Sequence, residues 1–123
     1  MVTDRRKLGD IGEQMAVERL VASGLPIVAR NVRTASGEID IVAKDGVEFV
    51  FVEVRTRRGT FGEAAESVTP AKLARMWQCA EEYCALEGHD LANVRVDVVT
   101  IDLGPGGRGP TTIAHLKAVE LPK

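Results

Sequence analysis

Two apolar arms, Glu38 to Lys44 and Val47 to Arg55, flank the dipeptide Asp45-Gly46, and this pairing constrains the chain more than any other feature. The arms are rich in Ile, Val and Phe, which suit a pleated and buried surface. Asp-Gly between such runs is a strong signal for a tight hairpin turn. Continuous apolar runs on both arms place the hairpin centrally in a sheet, covered on both faces. A two-residue turn at Asp45-Gly46 sets Asp40 opposite Phe51 and Glu38 opposite Glu53. Opposed residues share a face, as do residues two apart on one strand. Glu38, Asp40, Phe51, Glu53 and Arg55 therefore lie on one face.

The rest of the chain supplies layers for that hairpin. Leu8 to Ala22 follows a helical pattern, with Gly24 as its C-terminal cap. Leu25 to Arg33 reads as a strand, and Ser36-Gly37 turns it into the hairpin. A polar loop from Thr56 to Gly62 follows. Thr69 then caps a second helix that starts with Pro70, closes at Gly88, and carries Leu73, Met76, Trp77, Ala80 and Cys84 as an apolar stripe. Val94 to Leu103 and Thr111 to Val119 read as two more strands, joined by a mobile Gly/Pro loop at 104–110. The order α-β-β-β-α-β-β predicts a single three-layer α/β/α domain over residues 1–123, built on a mixed five-stranded sheet.

Composition narrows the setting. The 123 residues, 45% hydrophobic and 28% charged, match one ordinary globular domain. Apolar stretches such as Phe49 to Val52 fall far short of the roughly 20 residues of a spanning helix, and no signal peptide is visible at the N-terminus. Cys79 and Cys84 point apart on a helix and make poor disulfide partners, which predicts a reduced, cytoplasmic setting. With two Cys and two His, a structural zinc site is not expected. The net charge of −2 is unpromising for a nucleic-acid binder. Its distribution is less so: Arg55, Arg57, Arg58, Lys72 and Arg75 outnumber Glu53, Glu63 and Glu66 in the middle of the chain, and Arg5-Arg6-Lys7 form a second basic cluster.

Three acids and one base on a central hairpin are costly unless something positive compensates them. Arg55 is one candidate. The other is a hard divalent cation, Mg²⁺ or Mn²⁺, held by carboxylate oxygens of Asp40 and Glu53. In the plain structural alternative, the acids stand solvated at the open end of the arms with Glu53 paired to Arg55. Glu13, with Ala16, Val17 and Leu20 one and two turns on, lies at the boundary of the buried helix face and is a candidate outer ligand.

The pattern Gly37-Glu38-Ile39-Asp40, followed across a hairpin by Val52-Glu53-Val54-Arg55, resembles the active-site hairpin of the PD-(D/E)xK nuclease superfamily. Over nearly its whole length the chain looks like the YraN-like family of uncharacterised bacterial proteins, similar to archaeal-type Holliday-junction resolvases and restriction-endonuclease-like folds. The resemblance rests on Gly12-Glu13, Asn31-Val32-Arg33, Gly37 to Asp40, Phe51 to Arg57, Val68 through Lys72 and Arg75, and Arg95 to Val98. It implies Asp40 and Glu53 as Mg²⁺ ligands, Glu13 as the helix acid, and catalysis by Glu13, Asp40, Glu53 and Arg55. One departure is Arg55, where such nucleases usually carry Lys. Arginine does not give up its proton, so water activation would fall to a bound cation or a carboxylate.

The expectation is therefore a Mg²⁺- or Mn²⁺-dependent endonuclease cutting structured or branched DNA, with Arg57, Arg58, Lys72 and Arg75 facing the phosphates. A homodimer would suit a four-way junction. No membrane and no small-molecule cofactor enter this reading. Two other classes compete with it: a non-catalytic nucleic-acid or repair-partner binding module that keeps the fold, and an interaction domain whose acids form only ion pairs. His89 and His115 have no nucleophile or ligand pattern near them and receive no catalytic role.

Overall fold

The structure is a computed structural model and describes residues 4–59, 62–104 and 111–120. Helix α1 (Asp4–Ala22) leads into strands β1 (Ile27–Thr34), β2 (Gly37–Asp45) and β3 (Glu48–Arg58). A one-turn helix α2 (Glu63–Glu66), helix α3 (Pro70–Glu87) and a short 3-10 turn (Leu91–Asn93) connect these to β4 (Val94–Leu103) and β5 (Thr112–Leu116). The expected loop at 104–110 lies, apart from Gly104, outside the described residues. The five strands form one mixed sheet in chain order, antiparallel throughout except for the parallel pair β3–β4, which the α2–α3 crossover permits.

Each helix ends for a reason legible in its residues. Gly24, at φ 87°, lets the Leu25 N–H reach the Leu20 carbonyl while its own N–H takes Val21, and Leu20 and Leu25 then pack in one cluster. The Thr69 hydroxyl accepts the Lys72 N–H, and Gly88 closes α3 in the left-handed region. Helix α1 starts four residues earlier than its apolar pattern suggests, since Arg and Lys propagate a helix well.

The three layers are explicit in the core. Ala16 and Leu20 of α1 pack on Ile41, Ala43, Val50, Val52, Val99 and Ile101. On the opposite face Met76, Cys79, Ala80 and Cys84 of α3 pack on Val42, Phe49, Phe51 and Val96. Cys79 sits deeper on that stripe than Trp77, which is half-buried at its side, and both cysteines are free. Among the described residues no helix is long and apolar enough to cross a membrane.

The hairpin differs from expectation in register. Its turn is Gly46-Val47, with Gly46 at φ 62° and Val47 fully out in solvent, so Asp45 pairs with Glu48 and Val42 with Phe51. This is a slip of two residues relative to a turn at Asp45-Gly46. An even slip leaves the side chains of the paired stretch, Ile41 to Asp45 and Glu48 to Val52, on their expected faces. The ladder ends at Ile41–Val52, and the next position along sets Asp40 beside Glu53, where the sequence alone had set it beside Phe51. Opposite Asp40 on β1, Asn31 adopts φ 52°, and here the in-out alternation breaks: Ile39 packs with the α3 cluster instead of following Ile41.

Three other boundaries move. β3 runs on to Arg58 because its parallel ladder with β4 continues to Leu103. α2 follows the expected Thr56 to Gly62 loop, in a stretch before Thr69 for which no element was expected, and is held by buried Asp102, whose carboxylate accepts the Gly62 and Ala64 N–H groups. β5 stops at Leu116; beyond it Ala118 turns left-handed and Val119 bonds back to Val96. Asp97, wholly buried, anchors that turn by accepting from Arg95, His115 and the Ala118 N–H, so His115 serves the fold.

Two glycines of α1 behave oppositely. A Cβ at Gly12 would overlap the Thr56 side chain on β3, whereas a Cβ at Gly9 meets nothing within 4 Å. Gly12→Ala is expected to destabilise the protein by about 1–3 kcal/mol through overpacking. Gly9→Ala should stabilise it by about 0.5–1 kcal/mol through helix propensity. Urea unfolding of the two variants measures both.

Candidate functional site

The chemistry gathers where β2 and β3 part. With the ladder finished at Ile41–Val52, the Val54 N–H is taken by the Asp40 carboxylate at 2.8 Å. The carboxylate is thereby built into the fork between the strands. Burial and the neighbouring Glu53 charge push the Asp40 pKa up to about 7; Glu13 and Glu38 add to the rise, and the Val54 hydrogen bond opposes it. Burial also raises Glu53, against the pull of Arg55, Lys72 and Arg75.

Arg55 has a structural duty here. Its Nη1 donates to Glu53 at 3.3 Å and its Nε to the Ser67 hydroxyl at 3.0 Å, and its side chain is only 18% exposed. Ser67 in turn accepts Lys72 Nζ on its carbonyl at 2.9 Å. Burial and the charges of Arg55 and Arg57 depress the Lys72 pKa. Cations are thus crowded beside the acids.

Two clefts meet at this fork. One, of about 220 Å³, lies on the α3 side and brings Asp40, Glu53, Arg55, Lys72 and Arg75 together. Arg75 reaches it by lying against Gly37, where a Cβ would stand 3.2 Å from Arg75 Cδ. The other, of about 560 Å³, lies between α1 and the end of the sheet; Asp40, Arg55, Glu13 and Arg57 line it. Ser36 donates both its N–H and its hydroxyl to Glu82, which fixes α3 over the β1–β2 turn and lowers the Glu82 pKa.

The expected residues are therefore divided between the clefts. Asp40, Glu53 and Arg55 come together as read from the sequence. Glu38 is exposed and 3.8 Å from Arg33 instead of opposing Glu53. Glu13 shares the larger cleft with Asp40, but its carboxylate is held by Arg30 at 3.3 Å. Lys72 and Arg75 share the smaller cleft, Arg57 lines the larger, and Arg58 is exposed and lines neither. Asn31 and Arg33, which the sequence marks only as part of the family resemblance and without a role, line the larger cleft; the left-handed backbone at Asn31 is not readable from local spacing.

The donor set suits a hard divalent cation. Asp40, unlike Glu53, has no cationic side chain bonded to it among the described residues, and oxygen is the ligand such ions prefer. Among the described residues no three His, Cys, Asp or Glu side chains stand close enough to hold a metal jointly. Mg²⁺ does not require three, since one or two carboxylates commonly suffice with water and phosphate completing the shell. Asp40 and Glu53 would be the ligands, with Glu13 outside the inner set.

Comparison with known proteins places this arrangement among relatives of undescribed activity. The model of "Uncharacterised protein family UPF0102" matches residues 12–101. A UPF0102 protein of Symbiobacterium thermophilum is 51% identical over 104 residues, covering 84% of this chain and 88% of its own. One from Mycolicibacterium vanbaalenii is 41% identical over 116 residues, 94% of each chain. One from Corynebacterium efficiens is 42% identical over 121 residues, 98% of this chain and 97% of its own.

A carboxyl whose pKa rises on folding holds its proton more tightly in the native state. The stability it lends is complete below the unfolded value of 3.8 and is lost as pH climbs through about 7. Relative to Asp40→Asn, the wild-type protein should lose about 2–4 kcal/mol of unfolding free energy over that window. Denaturant unfolding of both proteins across the pH range reads the difference, and parallel profiles would contradict the assignment.

Proposed function

The chain belongs to the uncharacterised protein family UPF0102, and we propose that its site is that of a nuclease of the PD-(D/E)xK type. The reaction is divalent-cation-dependent hydrolysis of phosphodiester bonds in structured or branched DNA, as in resolvases of Holliday junctions. The observation that carries this reading is the forced adjacency of Asp40 and Glu53 at the strand fork, with Lys72 and Arg75 lining the same cleft.

Asp40 and Glu53 would hold Mg²⁺ or Mn²⁺, giving up the Asp40 proton in doing so. When bound, such an ion lowers the pKa of water and offsets charge on the phosphate. Lys72 and Arg75 bind the flanking phosphate oxygens. Arg55 steadies the Glu53 carboxylate and adds positive charge where the transition state gathers negative charge, without exchanging a proton. Arg57 extends the contact into the larger cleft. Free Cys79 and Cys84 fit a reducing, cytoplasmic setting.

A second reading has its own support. Glu53 is already paired with Arg55 and Glu13 with Arg30, the pattern of an interaction domain whose acids form only ion pairs.

Purified protein incubated with branched, single-stranded and duplex DNA in Mg²⁺ or Mn²⁺ should cut the branched substrate. Asp40→Asn and Glu53→Gln should each lower that rate by at least about 100-fold. Mg²⁺ should raise the Tm of the wild-type protein more at pH 8 than at pH 5.5, and leave Asp40→Asn unmoved. Cleavage by Asp40→Asn at the wild-type rate refutes the mechanism. Salt-dependent DNA binding with no cleavage by any form selects the binding module.

A further inference from the structure

The larger cleft contains a residue that packing does not explain. Gly9 lies inside α1, where glycine costs about 1 kcal/mol relative to alanine, and a Cβ there would touch nothing. Its neighbour Gly12 has a plain reason, since α1 could not otherwise approach Thr56. Gly9 has none within the fold, yet it forms part of the cleft wall. A glycine in such a place keeps the backbone bare for close approach by something that is not protein.

The cleft's other walls say what that is. Arg6 comes from α1, Arg33 from β1 and Arg57 from β3, so cationic groups converge from three elements on one space that opens onto Asp40. Asp10, Glu13, Glu38 and Asn31 line the same space, making it mixed in sign. A site for bare phosphate would be uniformly basic. A mixed lining suits one whole nucleotide: guanidinium groups take the phosphate or stack on the base, while Asp and Asn meet the donors and acceptors of a base edge. The volume, about 560 Å³, is that of a small-ligand pocket. Asp40 is half-buried at the fork, and the Glu53 side chain is only 15% exposed. A strand must bend to reach them, which an unpaired strand does readily and a stacked duplex does not.

We infer that the α1-side cleft seats one unpaired nucleotide next to the phosphate that Lys72 and Arg75 bind across the fork, so that the substrate is nucleic acid with an unpaired segment there. A strand then passes the end of the sheet with Lys72 and Arg75 on one side and Arg33 and Gly9 on the other. From the nuclease reading this takes only that the ligand is nucleic acid; seating the nucleotide needs no cleavage.

Fluorescence anisotropy in Mg²⁺-free buffer, with a labelled oligo-dT and a hairpin duplex of equal length, separates the two. The wild-type protein should bind the oligo-dT at least about 10-fold more tightly than the duplex. Gly9→Trp sets a large side chain on the cleft wall, at a position where a Cβ meets nothing within 4 Å, and should weaken oligo-dT binding by about 10-fold, with Gly9→Ala weakening it by a smaller factor of about 3-fold. Arg33→Ala, an exposed position whose loss the fold tolerates, should also weaken binding and reduce the slope of log K against log salt by about 0.7. Equal affinity for duplex and oligo-dT overturns the inference. So does wild-type affinity in both Gly9→Trp and Arg33→Ala when thermal melts show them folded. If this binding pattern holds while the wild-type protein cuts no DNA in Mg²⁺, the nuclease reading fails and the nucleotide cleft stands.

Discussion

A carboxylate wedged between two parting strands is the constraint on which the rest of the molecule depends. Asp40 takes the Val54 N–H that the antiparallel ladder no longer serves, and so fixes a carboxyl group at the end of the ladder beside Glu53. That placement is unfavourable in isolation, because burial and the neighbouring charge both resist ionisation of Asp40. The compensation is spread over several elements. Arg55 attends to Glu53, Arg30 withdraws Glu13, and the α3 cations are drawn to the same cleft. Hydrophobic layers on both faces of the hairpin supply the rigidity that keeps the fork from relaxing.

How far the sequence reveals this follows from which physical rules are local. Side-chain alternation along a strand is local, so the common environment of Asp40, Glu53 and Arg55 was readable before any fold was known. Register is set by one turn, and here glycine's tolerance of positive φ moved the turn one residue along, which slipped the pairing by two. The faces survived because the slip is even; an odd slip would have put the acids on opposite sides. What escaped the sequence depends on residues far apart. Asp102 caps α2 from 38 residues away, and Asp97 gathers Arg95, His115 and the Ala118 N–H into a buried polar knot. Nothing in the local spacing of those residues distinguishes them from surface charge. Glu13 shows the converse failure, since its boundary position on α1 was legible but its capture by Arg30 of β1 was not.

Arg55 connects the two themes. A lysine in its place would carry a titratable amine, but one ammonium group lacks the planar fork with which a guanidinium reaches in two directions. Arg55 uses that fork, one nitrogen on Glu53 and another on the Ser67 hydroxyl. Ser67 also receives Lys72 Nζ on its carbonyl, so a single serine between α2 and α3 brings two cations together. Like charges do not gather around a neutral residue for the sake of stability; the Lys72 pKa is depressed by burial first and then by repulsion from Arg55 and Arg57. The arrangement becomes favourable once an anion with several oxygens lies among Arg55, Lys72 and Arg75, because each cation then loses a repulsive neighbour and gains an attractive one. In the nuclease reading proposed above, a phosphate group with a metal ion would answer the charge of the acids and of the bases at once. In that reading proton exchange would fall to Asp40 and to water, while Arg55, which does not give up its proton, keeps a fixed charge through every protonation change around it.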